Sequence, residues 1–326
     1  MRKHGLKFFL LFPLSVMLLP AVIALCGTRA PELPRAAENI VAVSEKKAPQ
    51  NISILCEDGK TVKTVDIEDY LPGVVAAEMP AAYEEEALKA QAVAARSYIL
   101  SRAERQGDRH PTAAVCSDPS HCKAWLSEEE AKAKWQRSLR DAYWKKIKKA
   151  VDDTCGEYMV YDGETVEAFF FARSGGRTES SADVWGGDRP YLQSVESEGD
   201  ILSPDLESTV WVSADEFWHG ICALDGTAVR CDPIQIGELR RTEGGGVAAV
   251  GIGGREFRGA DIRRIFGLKS ANFTIVPENG GVRFDVRGYG HGVGMSQFGA
   301  NYMAKNGKKY TEILEHYYTN IQIVKN

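Results

Sequence analysis

Glu78 stands in the string VVAAEMP, an apolar run ended by Pro80. Apolar surroundings disfavour a charged carboxylate, raise its pKa and let it hold a proton near neutral pH, which is what a general acid needs. The same residue also fits a glutamate that caps or pairs near a helix start. The next stretch, LKAQAVAARSY, sets Lys89, Gln91 and Arg96 among alanine and valine. Lys89 and Arg96 are seven positions apart and share a helical face, with Gln91 off that line. So much alanine lets a ligand or a neighbouring element approach closely. The residues alone leave open a binding face or a packed helix with the Lys and Arg snorkelling out.

A second chemical set lies between His110 and Cys122. His110, Cys116, His121 and Cys122 bring two imidazoles and two thiols into a short loop. Two nitrogens and two sulfurs suit a tetrahedral structural zinc, with no position left for a reactive water. A Cys116 to Cys122 disulfide is the alternative on the oxidising side of a membrane. Cys222 and Cys231, or Cys56 and Cys155, pair only if the fold brings them together. Ser174 in ARSGGRTE lacks the strand-to-helix elbow of a GxSxG nucleophile and reads as a turn residue. GYGHGVG has no following Lys-Ser/Thr and is no phosphate loop. His291, near Tyr289, either faces a cleft or is a hydrogen-bonded histidine in a crowded turn. Asp69 and Tyr70 precede Glu78 and either support it or cap a turn.

These residues need elements to hold them. ISILCEDG and TVKTVDIEDYL read as strands joined at the Asp58-Gly59 turn. EEEALKAQAVAARSYILSRAERQ reads as a long helix whose leading glutamates suit its positive end. SEEEAKAKWQRSLRDAYWKKIKKAVDDT gives about two more helices. The remainder is strand-rich with glycine turns, then helical again in GMSQFGANYMAKNG and YTEILEHYYTN. Residues 200–239 carry the weakest pattern. There is no tandem repeat, so the expected fold class is α+β. A helical segment carrying Glu78 would pack on the strand-rich, glycine-turn-rich remainder over residues 51–326.

The N-terminus sets the compartment. Arg2, Lys3 and Lys7 form a basic tail (1–7) before an uncharged run from Phe8 to Leu25. Residues 8–26 are expected to be a single transmembrane helix with its N-terminus in the cytoplasm. Pro13 and Pro20 leave a cleaved signal peptide open, although Leu25 before Cys26 is no small-residue cleavage site. Residues 27–50, with Pro31, Pro34 and Pro49, read as a linker that lifts the module off the bilayer. A net charge of −5 over 326 residues gives no electrostatic footprint for nucleic acid. The run Lys145, Lys146, Lys148 and Lys149 reads as a solvated helix face.

Four separated strings, DYLPGVVAAEMP, EALKAQAVAARSY, ARSGGRTESSADVWGG with PYLQSV, and GYGHGVGMSQFGA, resemble in order the signatures of the stage II sporulation protein D family. That family comprises bacterial lytic transglycosylases acting on peptidoglycan of the sporulation septum, and the resemblance runs from about Ile52 to the C-terminus. It implies a single-span extracytoplasmic protein whose catalytic acid is Glu78. Lys89 and Arg96 match family positions implicated in activity, and Tyr191 and the segment with His291, Ser296 and Gln297 match others associated with the site. Gln91, with Lys89 and Arg96, would orient the sugar. The resemblance also implies a structural zinc at His110, Cys116, His121 and Cys122, as some family members carry. Implied partners are glycan strands, a sporulation amidase and a membrane protein that recruits both. Phe298 departs from the pattern, standing where a tryptophan is usual.

Overall fold

The computed structural model describes residues 50–56, 59–105, 110, 112–116, 122–278 and 280–326. The tail, the anchor and all of the linker but its last residue lie outside the described residues, as does His121. Among the described residues no helix is long and apolar enough to cross a membrane. The described chain belongs to one compact unit, Glu45–Asn326. It mixes helices with several small sheets, built around two hydrophobic cores.

The first core begins with a hairpin of β1 (Asn51–Leu55) and β2 (Val62–Asp66), paired antiparallel from Asn51↔Asp66 to Leu55↔Val62. Strand character stops at Asp66, and the IEDYL that reads as strand in the sequence is helical. Asp66 accepts the Glu68 N–H at 2.8 Å as N-cap, and Glu68 and Asp69 complement the positive first turn of α1 (Ile67–Glu78). Pro80 forces Met79 into extended geometry (φ −121°, ψ 138°), so the helix ends on Glu78.

Helix α2 (Glu85–Glu104) follows and runs through the middle of this core: from Ala87 to Arg102, every residue except Lys89 is buried. Its alanines let α1, α4 (Arg140–Asp153), β4 (Glu157–Tyr161) and two C-terminal helices pack closely around it. Before α4 comes α3 (Glu128–Lys134), opened by a Ser127–Glu130 capping box. The strands of this half are short: β3 (Val115–Cys116) lies parallel to β1, and β5 (Glu164–Thr165) pairs with β4. Strand β6 (Phe170–Phe171) runs parallel to the later pair Met295–Ser296.

The second core fills the excursion between Leu206 and Arg287. Strand β7 (Glu207–Ser213) joins Phe273–Glu278 and Gly281–Arg287 in an antiparallel sheet. The strands Ile236–Arg241, Val247–Ile252 and Arg255–Phe257 form another. Between them pack helices Ala214–Leu224 and Gly259–Ile265. Residues 200–239, unpatterned in the sequence, therefore contain a strand, a helix and the start of a third element.

Candidate active site

Glu78 is half-buried at the C-terminus of α1. Burial raises its pKa, opposed by the charge of Lys123 and by the Ala124 N–H, which donates to Oε1 at 3.3 Å. Lys123 is thus a charged side chain acting on Glu78.

The segment that carries Lys123 and Ala124 is docked on α1 through Gly73. Leu126 donates its N–H to the Gly73 carbonyl at 3.2 Å, and the Trp125 indole donates to the Tyr70 carbonyl at 3.2 Å. Trp125 also stacks on Tyr70, with ring centroids 5.7 Å apart and planes within 2°. A Cβ at position 73 would lie 2.3 Å from the Trp125 Nε1 and 2.4 Å from the Leu126 carbonyl oxygen. Only glycine admits this approach, which explains Gly73 inside the helix. On the far side, Lys146 donates to the backbone carbonyls of Ala81 and Tyr83 and ties down the chain after Pro80. One member of the run read as a solvated face therefore supports the site.

The ammonium of Lys123 lies 3.6 Å from the centroid of the Phe170 ring and 4.6 Å from that of Tyr98. Burial pushes its pKa down to about 8, with the carboxylate of Glu78 acting in the opposite sense. Burial, then the charges of Lys123 and Arg263, push His291 down to about 3, so its imidazole is neutral. Val293 donates its N–H to His291 Nδ1 at 3.1 Å, which leaves the proton on Nε2. Gly290 and Gly292 on either side take φ of 117° and 84°, the turn geometry that lets a histidine sit here. His291 packs against Phe169, Phe171 and Trp185, with its ring 5.3 Å from that of Trp185.

The remaining residues singled out by sequence fall into separate groups. Arg96 is 1% exposed and grips Glu68 of the first turn of α1 through two bonds, Nε to Oε1 at 2.7 Å and Nη2 to Oε2 at 2.6 Å. Its Nη1 donates to the Glu157 carbonyl at 2.9 Å. Lys89 pairs with Glu85, Glu86 and, at 2.9 Å, Asp153 of α4. Gln91 accepts from Gln297 Nε2 at 3.2 Å, while its own Nε2 is buried with no partner among the described residues. The Tyr191 hydroxyl accepts the Glu167 N–H at 3.2 Å. Asp69 and Tyr70 form part of α1, with Tyr70 in the core.

Ser296 and Ser174 meet on a residue the sequence reading passed over. Asp200 is fully buried; it accepts from the Ser174 N–H and hydroxyl at 2.7 and 2.6 Å and from the Ser296 hydroxyl at 2.7 Å. This carboxyl clamps the ARSGG and GMSQ strings together, and the Ser174 hydroxyl is spent on it. Lys123 was also missed; its one signal was its place directly after Cys122.

In the His and Cys loop, ligand atoms of His110, Cys116 and Cys122 all lie within 4.8 Å of one another and all three residues are buried. His110 Nε2 is 3.3 Å from Cys122 Sγ. Such a triangle fits around an ion with bonds of about 2.3 Å to sulfur and about 2.0 Å to nitrogen, so the donor set fits zinc. No disulfide joins Cys116 to Cys122, and none forms among Cys56, Cys155, Cys222 and Cys231.

Comparison with known proteins places this arrangement. A family model described as Stage II sporulation protein (SpoIID) matches residues 57–161. Stage II sporulation protein D of Bacillus subtilis (strain 168) is 37% identical over 281 residues, covering 85% of this chain and 80% of that protein. Its counterpart from Bacillus amyloliquefaciens is 36% identical over 281 residues, with the same coverage of 85% and 80%. An uncharacterized protein of Brachyspira hyodysenteriae is 31% identical over 267 residues, 81% of this chain and 68% of the relative.

Proposed function

The chain belongs to the stage II sporulation protein D family, and from that premise we propose that it is a peptidoglycan lytic transglycosylase. It would cut glycan strands between muramic acid and glucosamine during septal remodelling and engulfment in endospore formation. The observation that carries this reading is Glu78: a half-buried carboxyl at the end of a helix stopped by Pro80, with its pKa raised by burial and a lone lysine in reach.

A raised pKa favours the protonated form that a general acid needs. Glu78 protonates the glycosidic oxygen and the bond from the anomeric carbon to that oxygen breaks. The C6 hydroxyl of the same muramic residue closes on the anomeric carbon, and its proton returns to Glu78. Atoms balance without water, and the product ends in a 1,6-anhydro ring. Hydrolysis would need a second carboxyl flanking the bond at roughly 5 to 9.5 Å from the first. The intramolecular route needs only the one carboxyl that the family resemblance assigns, Glu78. Lys123 limits how far burial raises the acid and, once the proton has left, steadies the carboxylate that must take it back.

We also propose that His110, Cys116, His121 and Cys122 hold a structural zinc. A closed shell of four protein ligands supplies a crosslink rather than an activated water. Cys122 leads directly into Lys123 and Ala124, so this crosslink would fix the loop that faces Glu78. Residues 8–26 would anchor the module with the N-terminus inside, and residues 27–50 would give it reach toward glycan strands. A sporulation amidase and its membrane recruiter are the partners this reading implies.

Digestion of purified peptidoglycan separates the readings. A transglycosylase releases anhydromuropeptides, a zinc amidase frees stem-peptide amines, and a binding component is retained on the insoluble wall with no soluble product. Either of the last two outcomes would overturn the proposal.

A further inference from the structure

Tyr70 of α1 is 7% exposed and lies in the same core as Cys116 and Cys122. Its hydroxyl is buried and has no hydrogen-bond partner among the described residues. The O–H of a core tyrosine ordinarily finds a partner, and a buried donor left without one loses free energy that an acceptor would restore. A phenylalanine would fill the same space without that cost, so packing does not account for the oxygen.

What surrounds the hydroxyl points to the acceptor. Burial pushes its pKa up, and the charges of Cys122, Cys116 and Cys56, in that order, add to the shift. The phenol therefore keeps its proton, and sulfurs act on it. Cys116 and Cys122 are two corners of the buried triangle closed by His110, with ligand atoms within 4.8 Å of one another. Cys56 directly follows Leu55, the β1 residue paired with Cys116 of β3. The rest of Tyr70 is already fixed on the loop that supplies Cys122. Its ring stacks on Trp125, three residues further along, and its carbonyl takes the Trp125 indole N–H at 3.2 Å. One residue of α1 thus meets this loop through its ring and its carbonyl, and its hydroxyl lies within reach of the thiol charges.

A cysteine that holds zinc does so as a thiolate, and a buried thiolate is stabilised by donors behind it. Groups in that position orient the ligands and strengthen the hold on the metal. We propose that Tyr70 is such a donor: with zinc bound, its O–H is given to the Cys122 thiolate, and α1 becomes part of the support of the ion. The inference rests on the zinc reading above. It gives the ion site a second connection to Glu78, through the helix that ends on that residue, besides the chain from Cys122 to Lys123.

The test uses the full chain, zinc itself and Tyr70→Phe, which removes the oxygen and keeps the ring on Trp125. Zinc affinity is measured by competition with a chromophoric chelator, and melting temperatures are taken with and without the metal. The wild type should bind zinc at least roughly tenfold more tightly than Tyr70→Phe. Without metal, Tyr70→Phe should melt at or above the wild-type temperature, because the unpaired hydroxyl is gone. With cobalt in place of zinc, the sulfur-to-cobalt charge-transfer band should move to lower energy in Tyr70→Phe, since a thiolate that loses a hydrogen bond gives up its electrons more easily. A hydroxyl with only a packing role would leave that band in place. Equal zinc affinity in the two proteins, an unshifted band, or a metal-free Tyr70→Phe that melts below the wild type overturns the inference and leaves the zinc reading standing. A wild type that binds neither zinc nor cobalt overturns both.

Discussion

The core around α2 is threaded with polar groups: Gln91, Arg96, Ser97 and Arg102 on the helix itself, and Glu167 and Asp200 packed against neighbouring turns. The core of the inserted lobe is made of Phe217, Trp218, Phe273 and Phe284 with aliphatic neighbours, and its charges pair on the surface, as in Arg240–Glu256 and Arg283–Glu278. Regular antiparallel strands suffice to build the second. The first relies on named contacts, such as Arg96 on Glu68 and Asp200 on two serines, because its strands are too short to fix the chain. The candidate site sits in the half of the fold held by specific polar bonds, beside a lobe built from regular strands.

The largest structural effects should expose this contrast. Arg96→Ala removes two charge-assisted bonds to Glu68, which keeps the Gly156 N–H and is partly exposed, so the loss should be about 2–4 kcal/mol. Denaturant unfolding should show that loss together with lost activity, since α1 carries Glu78. Phe284→Ala should cost a similar ~3–5 kcal/mol through its cavity. Folded Phe284→Ala molecules should nevertheless keep the wild-type pH profile of cleavage, because nothing around Glu78 has moved. A shifted profile would mean that the inserted lobe tunes the acid.

Gly73→Ala is the next sharpest probe. The added methyl cannot coexist with Trp125 and Leu126 where they stand, so Lys123 and Ala124 must retreat from Glu78. Activity should fall by roughly 10²-fold, in keeping with a misplaced catalytic group, while far-UV circular dichroism stays unchanged. Stripping metal with a strong chelator should act on the same loop, lowering the melting temperature and the activity together without changing product chemistry.

Smaller effects follow from charge. The pKa of Glu78 is raised in the fold, so the native state holds this proton more tightly than the unfolded chain. Its contribution to stability is present below the ordinary carboxyl range and is lost as pH rises through the raised value. The alkaline limb of activity, where the general acid loses its proton, should fall over the same window. Lys123→Met removes the charge that lowers this pKa, so the fall should move to higher pH, read from the rate profile. Arg240→Ala on the inserted lobe should change stability by less than about 1 kcal/mol.

Much of the site could be read from the sequence where local rules act alone. Pro80 after Met79 fixes the end of α1 at Glu78, and the alanine-rich run gives α2 its length. The strand and helix of TVWVSADEFW went unread, although the alternation in the first half and the Ser213 to Glu216 capping box were visible signals. Lys123 and Asp200 could not be found that way. Lys123 depends on a loop docking through Gly73, and Asp200 on two strings more than 90 residues apart in sequence, Ser174 and Ser296, meeting on one carboxyl. Apart from the place of Lys123 after Cys122, nothing local marks either residue. Lys89 and Arg96 show the converse: helical spacing puts them on one face, and their contacts in the fold are with Asp153 and Glu68.

The central claim is that one carboxyl serves as acid and then base. Its most direct test is the rate and end-group analysis of peptidoglycan cleavage by wild type and Glu78→Gln, each checked for folding by its melting curve. The account predicts 1,6-anhydro ends from the wild type and a loss of at least about 10²-fold in Glu78→Gln, with a melting temperature at neutral pH equal to or above that of the wild type. A Glu78→Gln protein that stays folded and cleaves at the wild-type rate would contradict it.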